Sequence, residues 1–290
     1  MKNYIYLFSL SIFLLAGCDD KKTTEINSIS TTSENQDATN DKNNKAFNIN
    51  NEIKSQSSIL VNNSYLFHTE PELLPHKKLI KHKKIQGPTE KTINYNAQGY
   101  VQNYDLEGLY GEINYDTAKY IYGMKDVRNN YDVSFDDSKN IIGMKDDNGD
   151  IVAINEFDEQ GHLVETTLSN FADNNIVLNS KIIYNGDLVE QVLYNAYIKS
   201  DERTKLPVLV REKDIVYNTN HQLEKTITRT YKLSAKGNVI INDKNEQELE
   251  STETCTYFAY NENNDWTKAV CETVGEGSSK IDLTRTIEYL

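Results

Sequence analysis

Proline is scarce, with 4 in 290 residues, and so are cysteine and tryptophan, with 3 and 1. Few prolines means few points at which a strand ladder must break. Positive charge is also short: 31 Lys and Arg stand against 44 Asp and Glu, a formal charge of −13. That balance argues against nucleic acid as a partner, because phosphates demand a basic surface. No G-x-S-x-G, H-E-x-x-H or phosphate-cradling glycine loop occurs, so the common nucleophile, zinc and nucleotide chemistries have no sequence support. The five histidines, His68, His76, His82, His162 and His221, show no metal spacing with a Cys or carboxylate partner. No cofactor or metal is expected, and no helical stripe of useful length is evident. One apolar run exists, residues 4–15. It falls short of the roughly 20 residues a spanning helix requires.

That run carries the clearest signal. Lys2 gives a basic start, the apolar core follows, and Leu15-Ala16-Gly17-Cys18 closes it. The arrangement resembles the lipobox of bacterial lipoproteins. The resemblance implies cleavage after Gly17 and acylation of Cys18 on its sulfur and new amine, and several acyl chains anchor stably where one does not. Asp19 and Asp20 resemble the enterobacterial signal for retention in the inner membrane. The implied address is the periplasmic face of the cell inner membrane, an oxidising compartment.

Residues 21–56 are mostly Thr, Ser, Asn, Asp, Lys and Glu, with Phe47 the sole aromatic. Such a composition cannot bury enough apolar surface to fold. The expected organisation is a signal peptide over 1–17, a lipidated cysteine and flexible tether over 18–58, and a folded domain over 59–290.

The domain repeats one pattern: an aromatic residue, Asn or Asp, a few turn formers often including Gly, then an aliphatic or aromatic residue. Copies occur at Tyr95-Asn96-Ala97-Gln98-Gly99-Tyr100-Val101, at Tyr115-Asp116, at Phe135-Asp136 and at Phe157-Asp158. Others follow at Tyr184-Asn185-Gly186, Tyr217-Asn218, Leu233-Ser234 and Tyr260-Asn261. Asn and Asp open such turns by bonding their own backbone, and Gly or Asn accepts the positive φ that closes them. Between turns, residues alternate with period two. In residues 226–233, Ile227, Tyr231 and Leu233 are expected on a dry face and Thr228, Thr230 and Lys232 on a wet one. The expected fold is all-β: an antiparallel meander of about fourteen strands built from hairpins, its closure left open.

The aromatic-Asn/Asp-x-x-Gly-x-aliphatic pattern resembles the YD or Rhs-type repeat. The lipobox with its aspartate, Gln86-Gly87-Pro88 leading into Asn96-Ala97-Gln98-Gly99, and the run from Cys255 through Cys271 to Thr286-Ile287-Glu288-Tyr289 are similar to the YnfC-like enterobacterial lipoproteins. Those are of uncharacterised function, so the resemblance implies a lipid-anchored envelope protein and carries over no catalytic residue.

Cys255 and Cys271 lie symmetrically about Asn263, so a hairpin with its loop at residues 261–265 opposes them, with Tyr260 against Trp266. Lacking C-x-x-C spacing or a basic neighbourhood, the pair reads as a structural disulfide more readily than a redox centre. Residues 146–151 have the look of a calcium loop, but with Gly149 in frame Met144 and Asn155 occupy the ligand positions, so a β-turn is expected. The basic island at residues 77–84 reads as a solvated loop or a contact with anionic headgroups. Tyrosine is abundant, at 19. Most are expected along strands, with an aromatic binding face as the alternative. The reading reached is a non-catalytic binding or scaffold module whose partner is an envelope protein or glycan. The alternatives are a periplasmic glycan-acting hydrolase built on two carboxylates and an inhibitor of an envelope enzyme or toxin.

Overall fold

A computed structural model describes residues 51–290 apart from 67–72, 125–126, 170–175, 201–202, 205–207 and 235–238. The signal peptide, Cys18, Asp19, Asp20, nearly all of the expected tether and His68 lie outside the described residues.

One helix, α1 (Asn51–Ser64), precedes the strands. The first half of the sheet comprises β1 (Ile80–Gln86), β2 (Glu90–Tyr95), β3 (Val101–Leu106), β4 (Leu109–Asn114), β5 (Lys119–Met124), β6 (Val127–Phe135), β7 (Ile141–Lys145), β8 (Ile151–Phe157) and β9 (Leu163–Ser169). Longer strands follow: β10 (Ile176–Asn185), β11 (Leu188–Ser200), β13 (Val208–Tyr217), β14 (Leu223–Tyr231), β15 (Leu249–Tyr260), β16 (Trp266–Gly275) and β17 (Ser279–Tyr289), with the two-residue β12 (Arg203–Thr204) on the tip of β11.

Each strand pairs antiparallel with the next, β11 pairs directly with β13, and β17 returns to pair with β1. The meander therefore closes into a barrel of sixteen strands, with β12 outside the ring. Closure removes every free edge. It is possible because sixteen is even, so first and last strands meet antiparallel. A wall of this number is too wide for its own side chains to fill. The interior is completed by α1 and residues 73–79: Val61, Tyr65 and Leu73 join Ile85, Leu163, Val189, Val192, Ile215, Leu223, Tyr257 and Trp266 in one buried cluster.

An up-and-down barrel has two rims, and the repeat turns sort between them. Seven turns share one geometry, beginning at Asn96, Asp136, Asp146, Asp158, Asn218, Asn242 and Asn261. In each, the side-chain Oδ1 accepts from the amides two and four residues on, as Asn96 does from Gln98 and Tyr100 at 3.0 and 2.9 Å. The residue three places on has positive φ, whether Gly as at Gly161 (83°) or a side-chain-bearing residue as at His221 (57°). Five of the seven, at 96, 136, 158, 218 and 261, lie on the rim occupied by α1.

The Asp146 turn, rejected above as a calcium loop, is a full copy of the repeat on the opposite rim, and Asn242 begins another that the sequence reading passed over. The helix crosses the boundary drawn at residue 59: amides near the C-terminal end of α1 find partners on the barrel that composition does not show. The basic island becomes β1, with Lys83 buried inside the wall. On β14 the expected faces are reversed, for Thr226 and Thr228 are buried and face inward while Ile227 pairs outward opposite Asp214. Polar interior positions defeat a rule that equates apolar with inside.

Close approach is needed at Gly111. The Tyr104 ring lies flat on it, so an added Cβ would sit 2.1 Å from Tyr104 Cζ. This lets the Tyr104 hydroxyl reach that of Tyr120 at 2.6 Å in the interior.

Candidate functional site at the plugged rim

Where α1 meets the barrel, two side chains of the helix take the place of strand backbone. Asn63 Oδ1 accepts from the Ile141 amide at 2.9 Å while its Nδ2 donates to the Lys139 carbonyl at 3.0 Å. Asn62 repeats this on the next repeat turn, accepting from the Leu163 amide at 3.0 Å and donating to the Gly161 carbonyl at 2.8 Å. Each carboxamide thus satisfies the third and fifth residues after the turn-opening aspartate. Buried backbone groups need such partners. Asn62 also donates to Asn140 Oδ1, and Ser57 donates to the His76 carbonyl, both at 3.0 Å.

A buried ionic cluster secures the following segment. His76 Nδ1 lies 2.6 Å from Asp265 Oδ1, with both side chains nearly inaccessible. The Arg285 guanidinium lies 3.5 Å from the same oxygen, donates to the Trp266 carbonyl at 2.8 Å and stacks on the Trp266 ring at 4.2 Å. The Tyr289 hydroxyl donates to Asp265 Oδ2 and accepts from Asn261 Nδ2. Burial raises the Asp265 carboxyl, but His76, Arg285 and Tyr289 hold it well below the usual carboxylate range.

His162 forms the third seam. Its Nδ1 is 3.1 Å from Asp158 and its Nε2 3.4 Å from Asp187, and its ring stacks on Tyr184 at 4.6 Å. Lys54 of α1 pairs with Asp187 at 2.6 Å and, with His162, holds that carboxyl below its ordinary value. A small cavity lined by Ser58, Asn62, Pro75, His162, Tyr184 and Asp187 lies between helix and barrel.

Cys255 and Cys271 are joined on facing positions of β15 and β16, 3.9 Å apart at Cα, with Tyr260 opposite Trp266 as the symmetry about Asn263 required. Both sulfurs face the core. His221 lies in the Asn218 turn, while His76 and His162 each have a carboxylate partner that spacing did not show, from a residue 189 positions away for His76 and from Asp158 and Asp187 for His162. Spacing could not show the His76 pair, because strand closure creates it. The signal for the helix clamp was Asn62-Asn63 itself, two amides in a row at the end of an otherwise apolar Ile59-Leu60-Val61 run.

No protein-family model matches the chain, and no curated protein matches it. Similar solved structures include the Tc holotoxin pore of Photorhabdus luminescens, 13% identical, with a TM-score of 0.33, covering 66% of this chain and 9% of that one. Another is a porin-like protein from Bacteroides uniformis, 12% identical, with a TM-score of 0.34, covering 72% of this chain and 98% of that one. The chain therefore spans about a tenth of the length of the first.

Proposed function

We propose that this protein is a lipid-anchored envelope lipoprotein: a closed barrel tethered through Cys18 to the periplasmic face of the inner membrane, acting as a non-catalytic binding or scaffold module. The observation that carries the reading is the run Leu15-Ala16-Gly17-Cys18-Asp19-Asp20 behind a basic start and a short apolar core. The likeness to YnfC-like lipoproteins supports the same address.

Cys18→Ser tests the anchor. Cells labelled with a radioactive fatty acid should transfer label to the wild type and none to the variant, and label retained on the serine variant refutes the proposal. In an enterobacterial host, changing Asp19 and Asp20 together to Ser should shift the protein toward the outer membrane on a density gradient. Crosslinked co-purification from intact cells separates binder from hydrolase: one stoichiometric envelope protein or a bound glycan supports the binding reading, and neither supports the hydrolase.

A further inference from the structure

Among the described residues, α1 closes the barrel at one rim and no element closes it at the other. The evidence is a gradient in inward-facing residues along single strands. On β6, Tyr131 is 4% exposed and Val127, four residues nearer the far rim and on the same face, is 68% exposed. On β5, Tyr120 is 1% exposed and Met124 is 43% exposed. Strand alternation places these side chains inside the wall. They are exposed, so among the described residues no side chain covers them.

The opposite wall is polar at the same depth. The inward rung Ile215, Thr226, Cys255 and Cys271 is buried. One step toward the open rim stands Lys213, Thr228, Glu253 and Thr273, and one step further Arg211, Thr230 and Ser251. All but Thr228 are half-buried, so solvent reaches them. Thr228 is 8% exposed, and its buried hydroxyl makes no hydrogen bond among the described residues. A buried hydroxyl without a partner is uncommon and marks a place where a ligand or water group belongs.

Charge selects the ligand class. Arg211 and Lys213 are balanced by Glu253 on the same wall and by Glu250 beside Arg211. A wall with no surplus charge offers little to an anion. It offers interleaved donors and acceptors, cationic, carboxylate and hydroxyl, facing Tyr122 and the apolar pair Met124 and Val127 across the mouth. Vicinal sugar hydroxyls, each both donor and acceptor, match the first wall, and the C–H faces of sugar rings match the second. Barrel mouths are frequent ligand sites.

We infer that the open end of the barrel is a saccharide-binding cup, with Arg211, Lys213, Thr228 and Glu253 bonding ring hydroxyls and Tyr122, Met124 and Val127 packing against the ring faces. This deepens the binding-module reading and is independent of the lipid anchor, so failure of the Cys18 test leaves it standing.

The test is titration of the full mature protein with chitotetraose and with maltoheptaose by calorimetry, with decyl phosphate as the anionic comparison. Saturable binding of either sugar at millimolar or lower concentration is expected, with little binding of decyl phosphate. Thr228→Val keeps shape and removes a hydroxyl with no hydrogen bond among the described residues, so it should fold normally and weaken sugar binding about tenfold. Val127→Arg, at the exposed mouth, should also weaken it. Absence of saturation by both sugars overturns the inference, as does binding unaffected by both variants or binding of decyl phosphate alone.

Discussion

The Tyr217 hydroxyl lies 2.8 Å from the carbonyl of Val189, the strand partner of the Tyr184 that opens the preceding repeat. The same bond recurs from Tyr260 to Leu223 at 2.6 Å and from Tyr115 to Val101 at 3.0 Å. The aromatic residue of the repeat therefore does more than fill the interior. In these three repeats its hydroxyl fastens the hairpin to an earlier one.

Tyr217→Phe and Tyr260→Phe should each lower stability by about 1 kcal/mol, the usual net worth of a hydrogen bond, or somewhat more because buried carbonyls lose a donor. Tyr65→Phe is the control. Its hydroxyl is buried with no hydrogen-bond partner among the described residues, so removing it should leave urea denaturation unchanged or shift the midpoint upward.

Asn62→Ala and Asn63→Ala should each lower stability by about 1–3 kcal/mol, since each strands a buried backbone amide and a carbonyl. Hydrogen exchange at Leu163 should quicken in the first variant and at Ile141 in the second. Ser58→Ala, whose hydroxyl bonds only its own helix at Lys54, should change stability by less than about 0.5 kcal/mol.

The Asp265 carboxyl is held below its unfolded value, so its contribution is present above about pH 4 and is lost as the pH falls from there toward the lowered folded value. Wild-type stability, measured by urea unfolding, should fall between about pH 4 and pH 2. Asp265→Asn should be less stable at pH 7 by about 3–5 kcal/mol, the range for breaking a buried pair, and should lose this part of the acid dependence. An unchanged acid limb in the variant would contradict the assignment.

Replacing Cys255 and Cys271 together by Ala should lower stability by about 2–4 kcal/mol. A thiol titration of the native, unreduced protein should find neither group, because the two sulfurs are bonded to each other in the core.

Much of the architecture was legible in residues. The aspartate and asparagine turns announced themselves, and the symmetry about Asn263 placed Cys255 against Cys271 in the right register. Closure was not legible, because the pairing of β1 with β17 depends on strand count and shear, and neither is written in any one segment. The helix escaped notice because Ser57, Asn62, Asn63 and Ser64 are all buried within it, and a stripe that mixes polar with apolar residues has no amphipathic signature. The faces of β14 were read the wrong way for a related reason: Thr226 and Thr228 point into a lumen whose lining turns polar toward the open rim.

The register Ile80 with Tyr289 ties together residues at opposite ends of the barrel sequence. Such pairing is expensive in loop-closure entropy and slows folding. Until β17 arrives, β1 is an uncovered strand, and unpaired strands invite association with other chains. During synthesis the barrel is therefore a one-sided sheet with its seam unsewn, and the hairpin locked by Cys255 and Cys271, β15 with β16, is the template on which the closing strand β17 pairs. Conditions that delay that disulfide should show first as aggregation of newly made protein, before any change in the folded molecule.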